Sequence, residues 1–153
     1  MAYECMYALL EKNCYGKVNF GQFTKTVMEG LKDQNEIKLL SYLLIIKISI
    51  LSPASVSAHI NEISDSFRVV LETKLKENSV KQELETHEEL VRGVLRTIYV
   101  LQSEVVGSAL ANYPKFSSLL SDHIQSDNSK FQEEFDRQSQ QIEHSISFAK
   151  RKN

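Results

Sequence analysis

The sequence predicts an all-α protein made of antiparallel helix pairs, about three in number. Three observations carry this. Apolar residues recur at spacings of three and four along most of the chain. No segment alternates apolar and polar residues with a period of two. Only five glycines and two prolines interrupt 153 residues. That length suits one domain with a sizeable core. The 42% hydrophobic and 25% charged residues are ordinary globular proportions, which argues against global disorder.

The first predicted helix runs from Ala2 to Asn13, with Tyr3, Met6, Tyr7 and Leu10 on one face, and stops at the Tyr15-Gly16-Lys17 turn. No cap precedes it, so the chain reads as opening inside an amphipathic helix, as a fragment of a longer protein would. The second begins at Asn19, whose side chain can accept from a backbone N–H of the first turn. It buries Phe20, Phe23, Val27 and Leu31, and Gly30 ends it.

Asp33-Gln34-Asn35-Glu36 resembles a capping box with aspartate in place of serine, and a third helix follows to Leu51. Its Leu39, Leu40, Leu43, Leu44, Ile45, Ile46, Ile48 and Ile50 cover nearly the full circumference, which requires neighbours on several sides.

Ser52-Pro53 starts a fourth helix, serine capping free N–H groups and proline losing no hydrogen bond at the first position. Val56, Ile60, Ile63, Phe67, Val70 and Lys74 fall on one side of it, and Asn61, Asp65, Arg68 and Glu72 on the other. The fifth is opened by a Ser79–Gln82 capping box and carries Val80, Leu84, His87, Val91, Val94, Ile98 and Leu101 as its inward stripe. Lys81 with Glu85, and Glu88 with Arg92, are ion pairs on its wet face.

After Ser103 the composition shifts towards Ser, Gln, Asp and Asn, so residues 104–153 read as a divergent helical tail. Pro114 starts a short helix with Phe116, Leu119, Leu120 and Ile124. A last helix from Ser129 presents Phe131, Phe135, Ile142 and Ile146, with fraying expected beyond Gln141. Short connections pair these helices in order, at a spacing compatible with repeats of roughly 40 residues such as HEAT. A HEAT-like solenoid of this kind works through a long surface that holds another protein.

Composition and motifs exclude several functions. A formal net charge of −2 gives no basic footprint for a phosphate backbone, so nucleic acid is not the expected partner. Cys5 and Cys14 lack a second cysteine pair or a histidine cluster, which argues against zinc and for free thiols in a reducing compartment. The longest apolar run, Leu39 to Leu51, is shorter than the roughly 20 residues of a membrane span. No signal peptide opens the sequence. The chain reads as soluble and intracellular, with no membrane partner.

Catalytic signals are equally thin. His87-Glu88-Glu89 fails the H-E-x-x-H pattern because position 91 is valine, so His87 reads as a core or boundary residue. Cys14 has no identifiable base, and Gly16 and Gly21 form no phosphate-cradling loop. The expectation is a protein that is not an enzyme and takes no cofactor or metal.

The stretches ECMYALL (Glu4 to Leu10), MEGLKDQNEIKLLSYLL (Met28 to Leu44), ILSPASV (Ile50 to Val56) and KENSVKQELETHEELVRG (Lys76 to Gly93) carry an identity signal. In this order and at these spacings they resemble the C-terminal HEAT repeats of the cullin-associated, neddylation-dissociated (Cand) family. The resemblance is continuous from Ala2 to Leu101, so residues 1–103 read as those repeats. It implies a monomeric regulatory scaffold of cytoplasm and nucleus that binds the N-terminal region of a cullin. Such a scaffold controls assembly of cullin-RING (SCF-type) ubiquitin ligases and exchange of their substrate receptors. The other repeats of the family, and its β-hairpin, would lie upstream of Ala2. The candidate partner-binding residues are Lys32 and Asp33 in the turn after the second helix, and Asn61, Asp65, Arg68 and Glu72 on the fourth. The alternative reading is a different helical-repeat adaptor, such as a transport or coat scaffold.

Overall fold

The computed structural model describes Ala8 and residues 20–73, 80–107, 109–124 and 131–152, with no strand among them. Among the described residues from Phe20 onward, seven α-helices follow one another: α1 (Phe20–Gly30), α2 (Asn35–Leu51), α3 (Pro53–Ser57), α4 (Ile60–Glu72), α5 (Lys81–Val100), α6 (Pro114–Leu119) and α7 (Gln132–Lys152). Wider π-helical turns prolong α5 over Leu101–Val106 and α6 over Leu120–Ile124. Apart from Ala8, the predicted first helix with Cys5 and Cys14 lies outside the described residues, as do Asn19, Lys74 and the Ser79 and Ser129 caps.

Helix α2 is the centre of the fold because its sequence is apolar almost all round. Tyr42, Leu44, Ile45, Ile46 and Ile48 are buried on different sides of it. It packs against α1, α3 and α5. Ser41 and Ser49 are buried with it, satisfied because each hydroxyl donates to the carbonyl four residues back, Ile37 at 2.8 Å and Ile45 at 2.7 Å.

Contacts along the helices fix how the pairs stack. Within one pair, Tyr42 of α2 meets Phe67 of α4 edge-on at 5.5 Å, while Lys38, earlier in α2, shares a groove with Val70, later in α4, so these two run antiparallel. Between pairs, Leu39 shares a groove with Thr86, Tyr42 lies at Gly93 and Ile46 packs with Val100, so α2 and α5 run parallel. Arg92 shares a groove with Glu134, Tyr99 meets Phe135 at 6.4 Å and Ile142 packs on the cluster of Val100, which lays α7 beside α5 in the same sense. The result is an all-α, HEAT-like stack of helix pairs. Polar partners in successive pairs are 50 to 54 residues apart, longer than the roughly 40-residue repeat, because the long α5, its π-helical extension and the 3-10 turn Leu110–Asn112 all lie between them.

Three local expectations are corrected. Asp33 and Glu36 do not form a capping box: α2 begins one residue later than that box requires, and Asp33 Oδ1 instead accepts from the Gln34 N–H at 2.7 Å. Asp33 is held in the turn because its own N–H donates to Gly30 O at 3.2 Å. The helix predicted from Ser52 onward is two helices, interrupted at Ala58 and His59. At its start Ser52 Oγ meets Ser55 Oγ at 2.8 Å rather than a backbone N–H, and Ser57 Oγ donates to Ala54 O at 2.9 Å. Hydroxyls that compete for backbone or for one another weaken a short first stretch of helix. Finally, Leu84 is 43% exposed and His87 only half-buried, so burial on α5 begins at Leu90. Among the described residues, the first third of α5 is not covered by a neighbouring helix.

The core then continues without a break past Ser103. Leu101, Val106, Phe116, Leu119, Leu120 and Ile124 belong to the same cluster as Leu44, Ile63 and Leu95. Gly107, with φ of 53°, turns the chain out of α5 into this segment, its N–H donating to Gln102 O at 2.9 Å. A left-handed residue is costly for anything but glycine, which explains the choice here.

Candidate protein-interaction face

The candidate residues of α4 share a face because they are spaced by three and four. Ile60, Ile63, Phe67 and Val70 take the opposite, buried face. Three of the four candidates engage the next helix pair. Asp65 Oδ2 accepts from Lys115 Nζ at 2.8 Å. Arg68 Nη1 donates to Asp122 Oδ2 at 3.1 Å and to Glu72 Oε1 at 3.3 Å, while its Nη2 donates to Ser118 Oγ at 3.2 Å. Glu72 Oε1 also meets His123 Nε2 at 3.1 Å.

Arg68 is the hub of this ladder. Partial burial by itself would lower its pKa, but the hydrogen bonds to Asp122 and Glu72 and the charges of both carboxylates outweigh that and hold it above its ordinary value. One guanidinium can serve three acceptors because it presents five donors in a fixed plane.

Lys32 and Asp33 lie at the other end of the face. Lys32 Nζ stands 4.0 Å from Glu62 Oε1, and Ser66 Oγ donates to Leu31 O at 3.5 Å, so the α1–α2 turn abuts the first half of α4. Asn61 is exposed beside Glu62. The structure therefore brings Asp65, Arg68 and Glu72 together in the ladder, sets Lys32 and its turn beside Glu62 and Ser66 of the same helix, and leaves Asn61 exposed.

Sequence reasoning missed the ladder's other half, Lys115, Ser118, Asp122 and His123. A signal was present. Residues 115, 118 and 122 repeat the spacing of 65, 68 and 72, with opposite charge at the first position and at the hub's partner.

Two open grooves flank the uncovered start of α5. One, of about 490 Å³, has Val69, Val70, Val80 and Leu90 along it, and the other, of about 510 Å³, has Val91 and Phe131; His87 borders both. Among the described residues no group of three or more His, Cys, Asp or Glu side chains is placed to hold a metal ion, and no helix is long and apolar enough to cross a membrane.

Stacked helix pairs presenting a charged ladder along one side define a HEAT-like helical-repeat protein. The model of the TIP120 family, described as TATA-binding protein interacting (TIP20), matches residues 1–133, and the chain belongs to that family. It is 38% identical over 100 residues to Cullin-associated NEDD8-dissociated protein 2 of Mus musculus, covering 65% of this chain and 8% of that protein. It is 39% identical over 114 residues to Cullin-associated NEDD8-dissociated protein 1 of Drosophila melanogaster, covering 74% and 8%. Against the C-terminal part of Cullin-associated NEDD8-dissociated protein 1 of Emericella nidulans it is 30% identical over 95 residues, covering 62% and 9%. The chain thus spans less than a tenth of the length of these curated relatives.

Proposed function

We propose that this chain is a cullin-binding segment of a regulatory scaffold, and that it acts by holding a partner rather than by catalysis. The observation that carries this is the similarity to relatives named for association with cullins, which falls on a helix-pair stack that carries a charged ladder at its surface. The finer reading is that the partner is the N-terminal region of a cullin. The scaffold then controls assembly of cullin-RING (SCF-type) ligases and exchange of substrate receptors, in cytoplasm and nucleus, with the chain itself a monomer. The contact residues in this reading are Lys32, Asp33, Asn61, Asp65, Arg68 and Glu72. Extended repeat surfaces bind through many modest contacts, so a short stretch binds more weakly than a full solenoid.

Titration of the purified chain against an unneddylated cullin's N-terminal region, followed calorimetrically, tests the reading. The expected result is saturable one-to-one binding in the micromolar range, weakened by reversing Lys32 and Asp33 together. Failure to bind at the highest soluble concentration, by this chain and by the same chain joined to its neighbouring repeats, would overturn it.

A further inference from the structure

Helices α4 and α6, with its π-helical extension, meet through two unlike layers. Beneath lies an apolar layer in which Phe67, Phe116, Leu119 and Leu120 are buried. Above it, at the surface, lies the polar ladder of Asp65–Lys115, Arg68–Asp122, Arg68–Ser118 and Glu72–His123. The carboxylates of Asp65, Glu72 and Asp122 and the Lys115 ammonium are each about half exposed. The apolar layer is non-directional and carries no charges for salt to screen. The ladder is directional, lies on one side only, and can be screened.

We propose that the ladder is a clasp setting how far consecutive helix pairs open on this side of the stack. Screening it, or removing the Arg68 charge, lets α4 and the 114–124 segment splay apart about the apolar layer, which stays docked and serves as the hinge line. The device is a property of this chain and does not depend on the identity of the partner. For a partner that docks along α4, it makes the width of the docking surface adjustable. A partner offering its own charges to Asp65, Arg68 or Glu72 opens the clasp as it binds, and binding and curvature become coupled.

The full chain, with Cys5 and Cys14 replaced by serine, carries nitroxide labels at Asn61→Cys and Ala111→Cys, two exposed positions flanking the clasp. Pulsed electron paramagnetic resonance then reads the distance between them. Arg68→Gln is expected to move the distribution to longer, broader distances, and about 1 M salt, where the Debye length is about 3 Å, to do the same to the unmutated labelled chain. Asp65→Lys alone is expected to widen it, and Asp65→Lys with Lys115→Asp to restore the narrow distribution. Circular dichroism verifies that each variant stays helical. A folded Arg68→Gln variant with an unchanged distribution would overturn the proposal. If that variant does not fold, a distance that stays constant from low to high salt in the unmutated labelled chain would do so.

Discussion

Gly93 of α5 lies against the ring of Tyr42 on α2 so closely that a Cβ there would stand 3.0 Å from Tyr42 Cδ2. The ring has little room to retreat, because Tyr42 is 1% exposed and its other side meets Phe67 edge-on. Glycine in a helix normally costs about 1 kcal/mol relative to alanine. Here the missing side chain lets two parallel helices approach. Overpacking costs roughly 1–3 kcal/mol, so Gly93→Ala is expected to lower stability by about 1 kcal/mol in urea denaturation despite its better propensity. Gly93→Leu should cost about 3 kcal/mol or more.

The Tyr42 hydroxyl is buried with no hydrogen-bond partner among the described residues, a burden of about 1–3 kcal/mol. Tyr42→Phe is therefore expected to stabilise the chain by about 1 kcal/mol at neutral pH. Burial also pushes the Tyr42 pKa above its ordinary 10.0. In base the unfolded tyrosine ionises while the folded one keeps its proton. The folded state then binds more protons, and stability falls as pH rises through 10 by about 1.4 kcal/mol per unit from this residue. Urea midpoints from about pH 9 to about pH 11 should fall less steeply in Tyr42→Phe. Some slope remains, because burial, together with the charge and hydrogen bond of Glu143, also raises Tyr99.

Arg68 and Asp122 provide an energetic check on the ladder. A double-mutant cycle with Arg68→Ala and Asp122→Ala should give a coupling of about 0.5–1 kcal/mol, the size expected for partly exposed pairs, and the coupling should shrink in high salt. A coupling of zero at low salt would show that the contact contributes no stability.

Phe116 is fully buried in the main core although it belongs to the compositionally divergent tail. Phe116→Ala should cost about 3–5 kcal/mol, as for other buried aromatics. Cutting the chain after Ser103 should abolish cooperative thermal unfolding, since it removes Phe116, Leu119, Leu120 and Ile124 together.

Leu84 and Leu95 both lie on α5, yet Leu84 is 43% exposed and Leu95 fully buried. Leu84→Gln should change stability by less than about 0.5 kcal/mol, whereas Leu95→Ala should cost about 2–5 kcal/mol. Equal effects would mean that the start of α5 is covered in solution.

Most helix positions were legible from local pattern alone. The stripe Ile60, Ile63, Phe67 and Val70 is buried as its spacing demands, and the pairs Lys81–Glu85 at 3.7 Å and Glu88–Arg92 at 3.9 Å form as i,i+4 geometry predicts. The capping errors fall where a residue has two acceptable local partners. Asp33 could cap α2 or brace the turn, and Ser52 could cap α3 or meet Ser55. Such alternatives differ by little energy, and packing of the flanking helices selects between them.

By itself, the sequence determined the helical class, the buried stripe of α4 and the burial of α2 on several sides, though Leu43 stays 38% exposed, because these depend on periodicity within one segment. Only the tertiary structure decided that Leu84 stays 43% exposed, that Gly93 receives the Tyr42 ring, and that Asp65, Arg68 and Glu72 face Lys115, Asp122 and His123. Those outcomes depend on how far one helix extends alongside another fifty residues away, and a pattern local to one helix carries no information about its neighbour's length or register.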